Sequence, residues 1–130
     1  MKTKAELKVE VDAKVAEITS ALGQFNGSMV FYRCGVVPQM MFSEGAHFVA
    51  ESCGAYWLID GIAILQLTPK VRAEEFQIWK LAVTGHKAVL TLDDGNGNII
   101  VRKSVSFTDF PLPEVTLWVE NNTIYLPRER

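Results

Sequence analysis

The sequence predicts an α+β fold in which an antiparallel sheet of five to seven strands packs against helices. Three observations support this prediction. An apolar stripe with a helical period runs through residues 4–22, residues 55–67 are almost wholly apolar, and strand-length runs separated by turn residues fill the chain from residue 76 onwards. Helices followed by a run of strands are the α+β pattern. We therefore expect a C-terminal meander covered on one face by a buried central helix, a short helix and an N-terminal amphipathic helix.

Length and composition indicate one ordered domain over residues 1–130. A chain of 130 residues can bury enough surface to form its own core. An apolar content of 48% and a net charge of -2 argue against disorder. The same balance argues against nucleic-acid binding, which needs a clustered basic face.

The apolar runs are too short for a membrane protein. None approaches the roughly 20 residues that span a bilayer, and the first residues carry no apolar signal segment. We therefore expect a cytoplasmic protein that does not bind membranes. In that compartment Cys34 and Cys53 should stay reduced, and both are expected to be small buried side chains.

An amphipathic helix is predicted for residues 4–22. Its apolar side chains recur at steps of four, four, three and four residues, which is typical of one helix face. They are Leu7, Val11, Val15, Ile18 and Leu22. Residues 7–15 also alternate as a strand would, but the helical stripe persists beyond them and Gly23 then supplies a stop.

The segment between the two long helices is predicted to form a turn, two short strands and a short helix, at residues 24–28, 29–33, 39–42 and 44–52. Ser43 is the expected N-cap of the short helix because its hydroxyl can accept a hydrogen bond from a first-turn N–H. Glu44 suits the positive end of the helix dipole, and Gly54 ends the helix.

Residues 55–67 are predicted to form the central helix. This segment is apolar on every side except for Asp60 and Gln66. A helix that is apolar all round is normally buried, so we expect it to lie between the sheet and the other helices. Pro69 bars its continuation.

Strands are predicted in the second half of the chain, at residues 76–83, 87–93, 98–107, 114–120 and 123–126. Turn-forming residues separate them, including the glycine-rich stretch at residues 93–98. Within the third run Lys103 interrupts an otherwise apolar face. The last two strands should form a hairpin across Asn121 and Asn122.

Five motifs occur in order along the chain: YWLID, FQIWKL, DDGNG, TDFPLP and LPRE, at residues 56–60, 76–81, 93–97, 108–113 and 126–129. From about residue 25 to the C-terminus, the chain resembles an uncharacterised family of small bacterial proteins known only as a domain of unknown function. The resemblance implies no activity, substrate or catalytic residue. It implies a context, since such proteins look like accessory genes often carried by phages and other mobile elements.

The sequence offers little for metal or cofactor chemistry. Cys34, His47, Cys53 and His86 are the soft metal ligands, and no C-x-x-C or H-x-x-x-H spacing relates them. We therefore expect no metal and no cofactor. His47 is expected on a helix face and His86 in a solvated turn. Cys53 and His47 are six residues apart on a short helix, which places them on different faces and argues against a catalytic pair.

The stretch at residues 93–98 is predicted to be a hairpin turn. Its alternating Asp and Asn side chains match the start of an EF-hand loop, but Ile99 and Val105 stand where that loop requires Gly and Glu.

Asp60 is the most distinctive candidate site residue. A lone buried carboxylate costs several kcal/mol unless it is paired or neutralised. Its expected partners are Arg33, Lys80, or the indole N–H of Trp57 or Trp79. We expect a structural tie between helix and sheet, with a ligand-binding or acid–base role as the alternative. Asp109 is the second acid considered, and its side chain is expected to cap the turn before Pro111.

These considerations give a candidate pocket between the central helix and the sheet, with no catalytic residue assigned. Its members are Trp57, Asp60, Trp79, Lys80 and Asp109. The aromatic side chains of the chain could fill the core, an oligomer interface or such a pocket.

Three functional hypotheses follow. The first is a non-enzymatic accessory protein that binds a protein partner or itself, with a homodimer expected. The second is a small-molecule-binding domain that uses the candidate pocket. The third is a hydrolase that uses Asp60 or Asp109, and it ranks last because no nucleophile, metal set or second carboxylate lies at a recognisable spacing.

Overall fold

A computed structural model describes residues 3–24 and 30–130, which form an α+β domain. Helix α1 spans Lys4–Leu22, α2 Glu44–Ser52, α3 Tyr56–Leu65 and α4 Pro69–Arg72. The strands are β1 Phe31–Arg33, β2 Met41–Ser43, β3 Phe76–Thr84, β4 Lys87–Asp93, β5 Ile99–Val105, β6 Glu114–Glu120 and β7 Thr123–Tyr125, and a 3-10 turn follows at Pro127–Glu129. The predicted fold class is confirmed.

The seven strands form one sheet in the order β1-β2-β7-β6-β3-β4-β5. The meander extends over β3, β4 and β5, and β6 then returns to pair with β3. All pairings are antiparallel except that of β2 with β7. The predicted hairpin turn is confirmed, since Asn121 and Asn122 both have positive φ values of 53° and 58°, which suits a type I′ turn.

One face of the sheet carries the core. Alternate side chains of the central strands are buried there, with Trp79 at 1%, Leu92 at 0% and Leu117 at 1% exposure. Buried side chains of α2 and α3 belong to the same cluster. Burying this apolar surface is the main favourable term for the fold, at roughly 25 cal/mol per Å².

The central helix is buried along one side only. Leu58, Ile59, Ile62 and Ala63 are buried, whereas Ile64 is 50% exposed. The prediction that the helix is enclosed between the sheet and other helices is therefore wrong. The reason is the arrangement of layers: α1 packs beside α2, so the outer side of α3 faces solvent.

Helix α1 has the predicted bounds, and Thr3 caps it by accepting a hydrogen bond from the N–H of Glu6 at 3.1 Å. Its apolar stripe is buried only towards the C-terminal end, where Ile18 is 4% exposed. Val11, in the middle of the helix, is 56% exposed. The side chain of Leu7 and the predicted turn and strand residues 25–29 lie outside the described residues. No described helix is both long and apolar enough to cross a membrane.

The LPRE motif closes the domain through Glu129. Its carboxylate accepts hydrogen bonds from the Ser43 hydroxyl and from the backbone N–H of Gly45 and Leu126, at 2.5, 3.0 and 2.8 Å. Ser43 also caps α2 as predicted, by accepting a hydrogen bond from the N–H of Ala46 at 3.1 Å. A carboxylate at a helix N-terminus is favoured by the helix dipole. This motif therefore has a structural role.

Candidate functional site

The structure does not gather the five predicted pocket residues. Trp79 and Lys80 are neighbours on β3 and therefore point to opposite faces of the sheet. The indole N–H of Trp79 donates to Oε1 of Gln77 at 2.8 Å in the core. The Lys80 ammonium lies 3.1 Å from a carboxylate oxygen of Glu114 on the other face. The two side chains thus line no common pocket.

Asp60 is only partly buried, and the tie predicted for it is wrong. Within residues 3–24 and 30–130 its carboxylate forms no hydrogen bond or ion pair. Arg33 instead donates to the carbonyl of Pro38. Because Asp60 lies on a partly solvated side of α3, water can hydrate the carboxylate and no internal cation is required.

Asp109 is exposed, and the cap predicted for it is supplied by its neighbour. The hydroxyl of Thr108 accepts a hydrogen bond from the backbone N–H of Phe110 at 3.1 Å. Thr108 is 5% exposed, and its own N–H donates to the carbonyl of His86 at 2.7 Å. A buried hydroxyl takes the capping position here because the threonine methyl group can pack while its oxygen bonds the backbone.

A groove does lie between the central helix and the sheet, but towards β4 and β5. It has a volume of about 340 Å³. We call it the Trp57 groove; it is lined by Trp57, Leu58, Gly61, Leu65, Leu90 and residues 103–106. Trp57 is the one predicted pocket residue that borders it. The cation at this groove is Lys103, the residue that interrupts the apolar face of β5.

A larger cleft lies at the end of the sheet where β3 begins and β6 ends. Its volume is about 590 Å³. We call it the amide cleft; it is lined by Gln39, Met40, Gln66, Leu67, Arg72, Glu74, Glu75, Gln77, Val119, Glu120, Asn121 and Asn122. Sequence reasoning missed this site because its residues come from four separate segments, 39–40, 66–67, 72–77 and 119–122.

The floor of the amide cleft is a hydrogen-bonded amide network. Gln77 is 2% exposed, and its amide exchanges two hydrogen bonds with the amide of Gln66, at 2.7 and 2.9 Å. It also donates to the backbone carbonyls of Val71 and Glu74, at 3.0 and 3.1 Å. One sequence signal was available: Gln77 occupies a core-facing position of an alternating strand, where an apolar residue is expected.

Strand β1 forms one edge of the sheet and is exposed along its length. Four large apolar side chains project from residues 30–36. We call them the edge patch: Val30, Phe31, Tyr32 and Val36, with exposed fractions of 46, 46, 36 and 54%. Phe31 and Tyr32 are neighbours on the strand, so their side chains lie on opposite faces and flank the edge from both sides. Exposed apolar side chains grouped in this way are typical of interaction surfaces.

An aromatic and titratable cluster supports Tyr32 from the helix side. The ring of Tyr32 stacks on His47 with centroids 4.1 Å apart. His47 approaches Glu51 at 3.8 Å, and the hydroxyl of Tyr56 donates to the same carboxylate at 2.6 Å. This hydrogen bond to Glu51, with a smaller contribution from burial, raises the pKa of Tyr56 to about 12. His47 lies on a helix face as predicted.

The opposite edge of the sheet, β5, is built differently. The register between β4 and β5 shifts beside Leu92 and Asp93, where Ile100 is the extra residue of a bulge. Lys103 stands opposite the buried Leu90 on the core face. Bulges and inward-pointing charges are devices that discourage pairing with another chain. β1 has neither.

The remaining candidates have structural explanations. Both cysteines are buried, and burial is the main factor that raises the pKa of each thiol to about 11, with the charge of Asp60 adding to the effect at Cys34. Within the described ranges no three His, Cys, Asp or Glu side chains are grouped to hold a metal ion. His86 is exposed in its turn, as predicted, and stacks on Phe107.

The loop at residues 93–98 is the predicted hairpin turn. Oδ1 of Asp93 accepts from Gly95 N–H at 2.6 Å, and Oδ1 of Asp94 accepts from Asn96 N–H at 2.8 Å. The side-chain hydrogen bond from Asn98, followed by the backbone bond from Asn96, lowers the pKa of Asp94 below its ordinary value of 3.8. Both carboxylates therefore serve the turn itself.

The fold and its surfaces define a small α+β domain with an open seven-stranded sheet whose core face packs against α2 and α3. The chain belongs to a family of unknown function, DUF6876, whose model matches residues 16–130. This confirms the resemblance to a family of unknown function. The chain matched neither a curated protein nor a solved structure.

Proposed function

We propose that this domain is a non-enzymatic accessory protein that self-associates, forming a homodimer through β1. The observation behind the proposal is the edge patch, which places large exposed apolar side chains on a sheet edge that has no bulge. The β1 edge of a second copy matches the β1 edge of the first in length and in sequence. Two-fold dimers are also the commonest closed assemblies.

The backbone of β1 fits a two-fold pairing centred on Tyr32. Cys34 N–H donates to the carbonyl of Met40 at 2.9 Å, and hydrogen-bonded and non-bonded positions alternate along an antiparallel pair. By this alternation Tyr32 bonds towards β2, whereas Phe31 and Arg33 direct their N–H and C=O groups outwards. If Tyr32 meets Tyr32 of the second copy, each outward pair exchanges two hydrogen bonds.

The side chains are complementary in the same register. Phe31 of one copy stands opposite Arg33 of the other, and this pair occurs twice about the axis. An arginine beside an aromatic ring adds a cation–π attraction of about 0.5–1 kcal/mol at an exposed site. Aromatic pairs across antiparallel strands contribute a further 0.2–1 kcal/mol or so. The Arg33 guanidinium donates to the carbonyl of Pro38 in the single subunit, so it has to turn towards the ring of the second copy to make the cation–π contact.

The protected β5 edge supports a closed dimer over an open chain of subunits. Among the described strands, β1 is the sheet edge that has neither a bulge nor an inward-pointing charge, and an isologous contact between equal edges closes on itself. The buried, protonated thiols support the non-enzymatic part of the proposal, since a thiol rather than a thiolate is a poor nucleophile. Reduced thiols also fit a cytoplasmic location, and accessory self-association fits a protein carried by mobile elements.

Sedimentation equilibrium tests the proposal with two matched variants. Phe31→Lys puts a lysine opposite Arg33 of the second copy, whereas Ile99→Lys changes a side chain of equal exposure on the other edge, 47% against 46%. We expect a wild-type dimer, an unchanged Ile99→Lys dimer and a Phe31→Lys dimer weakened at least about tenfold, because a buried Phe contributes roughly 1.5–3 kcal/mol. A monomeric wild type, or equal behaviour of the two variants, contradicts the proposal.

The Trp57 groove supports a second candidate function, small-molecule binding between the central helix and the sheet. Trp57 is 39% exposed at its rim and Lys103 offers a cation beside apolar walls. Thermal-shift screening against nucleotides and metabolites would test it. A ligand of this groove should stabilise the wild type and a Phe107→Ala control but not Trp57→Ala. The absence of any stabilising ligand would count against this function.

A further inference from the structure

We propose that the amide cleft is a binding site for a small organic diamine or polyamine. This inference does not depend on the proposed dimer, because none of the edge-patch residues lines the cleft. Its volume of about 590 Å³ lies within the range of ligand sites, which is roughly 300–1,000 Å³. The ligand class follows from the groups that line it.

The charges of the lining favour a cation. Glu74, Glu75 and Glu120 border the cleft, against the single cation Arg72. Within the described residues the carboxylates of Glu74 and Glu75 have no hydrogen-bond or ion-pair partner. Glu120 accepts a hydrogen bond from Tyr125 at 2.9 Å and lies 3.7 Å from Arg130. The net negative charge of the lining attracts an ammonium group and disfavours a phosphate or carboxylate ligand.

The apolar lining favours a cation with a hydrocarbon spacer. Leu67, which is 53% exposed, supplies the accessible apolar surface of the cleft, and the buried Met40 and Val119 pack beneath the lining. Methylene groups laid on this surface are removed from water, which favours binding. A diamine or polyamine combines such spacers with ammonium groups, whereas a metal ion does not.

The amide network gives the cleft a fixed shape. The Gln66 and Gln77 amides are bonded to each other and to backbone carbonyls, so their orientations are set before a ligand arrives. Asn121 and Asn122 are held in the two left-handed positions of a tight turn. Gln39 and these two asparagines are exposed at the rim and carry amide oxygens that can accept from ammonium groups. A preorganised site loses less entropy on binding.

Calorimetric titration with spermidine tests this proposal directly. The variants are Glu74→Gln and Glu75→Gln in the cleft, with Glu17→Gln as the control, an exposed acid on α1 outside the cleft. We expect saturable binding to the wild type and to the control. Each cleft variant should bind about tenfold more weakly, since the substitution removes a carboxylate that attracts and can hydrogen-bond an ammonium group.

Two further arms separate this site from general attraction of cations to an acidic protein. Magnesium chloride at the same charge concentration should not displace spermidine, and ATP, as an anionic probe, should not bind the cleft. Any one of four results would overturn the proposal. The first two are the absence of saturable spermidine binding and equal affinity of the control and both cleft variants. The other two are displacement of spermidine by magnesium and binding of ATP that Glu75→Gln strengthens.

Discussion

The side-chain amides of Gln66 and Gln77 face each other across the junction of α3 and β3 and exchange two hydrogen bonds, of 2.7 and 2.9 Å. Each amide satisfies the other, and the same Gln77 oxygen accepts from the Trp79 indole. The pair therefore joins the central helix to the central strand through polar groups buried beside the core, and it forms the floor of the amide cleft.

Gln77→Leu should be strongly destabilising. The substitution keeps the side-chain volume but leaves the buried Trp79 indole N–H without its acceptor, at a cost of about 1–3 kcal/mol. It also removes both hydrogen bonds with Gln66, whose half-buried amide keeps its bond to the Ile62 carbonyl. Urea denaturation measures the loss. Gln39→Leu is the control, since Gln39 is an exposed residue of the same cleft, and it should change the free energy of unfolding by about 0.5 kcal/mol or less. Equal effects of the two substitutions would mean that the network does not stabilise the fold.

Gly45→Ala should also destabilise the domain. A Cβ at this position would lie 2.5 Å from a carboxylate oxygen of Glu129 and 2.6 Å from a methyl carbon of Leu126. Relieving such overpacking costs about 1–3 kcal/mol, and it displaces the carboxylate that binds the start of α2.

Gly61→Ala provides the matched helical comparison. A Cβ there meets nothing within 4 Å, so the helix propensity of alanine should stabilise the domain by up to about 1 kcal/mol. Thermal denaturation of the two variants gives the comparison. If Gly45→Ala proved as stable as Gly61→Ala, the contact of Glu129 with α2 would not be the tight one described.

Native Cys34 and Cys53 should react slowly with thiol reagents. With pKa values of about 11, roughly one thiol in a thousand is ionised at about pH 8, and both side chains are buried. Labelling followed by mass spectrometry should show little modification of the folded protein and two labels per chain in denaturant. Rapid labelling of either cysteine in the folded protein would contradict the assignment of both as structural residues.

The turn at residues 93–98 should make stability depend on pH at the acid end. The pKa of Asp94 is lowered in the folded protein, so its contribution is present above the ordinary pKa of 3.8 and is lost as the pH falls through the folded value. Asp94→Ala should therefore reduce the free energy of unfolding at neutral pH, and the difference from wild type should shrink on acidification. A difference that stays constant with pH would exclude the Asn98–Asp94 hydrogen bond as its cause.

Local patterns predicted the elements well. The bounds of α1, α2, β4 and β6 follow from periodicity, an N-cap and turn residues, all of which act between residues close in the chain. The hairpin at Asn121 and Asn122 was likewise predicted from two turn residues between strands.

Strand order and the sites could not be predicted in the same way. The parallel pairing of β2 with β7 and the return of β6 to β3 join segments far apart in sequence, and apolar alternation does not distinguish among partners. The environment of Asp60 was predicted wrongly because composition alone cannot show which side of an apolar helix is covered. The amide cleft was missed because its residues converge only once the sheet has formed.

The most direct test of the proposed dimer is oxidative cross-linking of Tyr32→Cys. In the proposed register this residue meets its own copy at a non-hydrogen-bonded position, where Cα atoms lie about 4.5 Å apart, a distance that a disulfide can span. Ile99→Cys on the opposite edge is the control. We predict a disulfide-linked dimer of Tyr32→Cys that forms rapidly and in high yield, with little from Ile99→Cys. Absence of a covalent Tyr32→Cys dimer, or equal yields from both variants, would contradict pairing through β1.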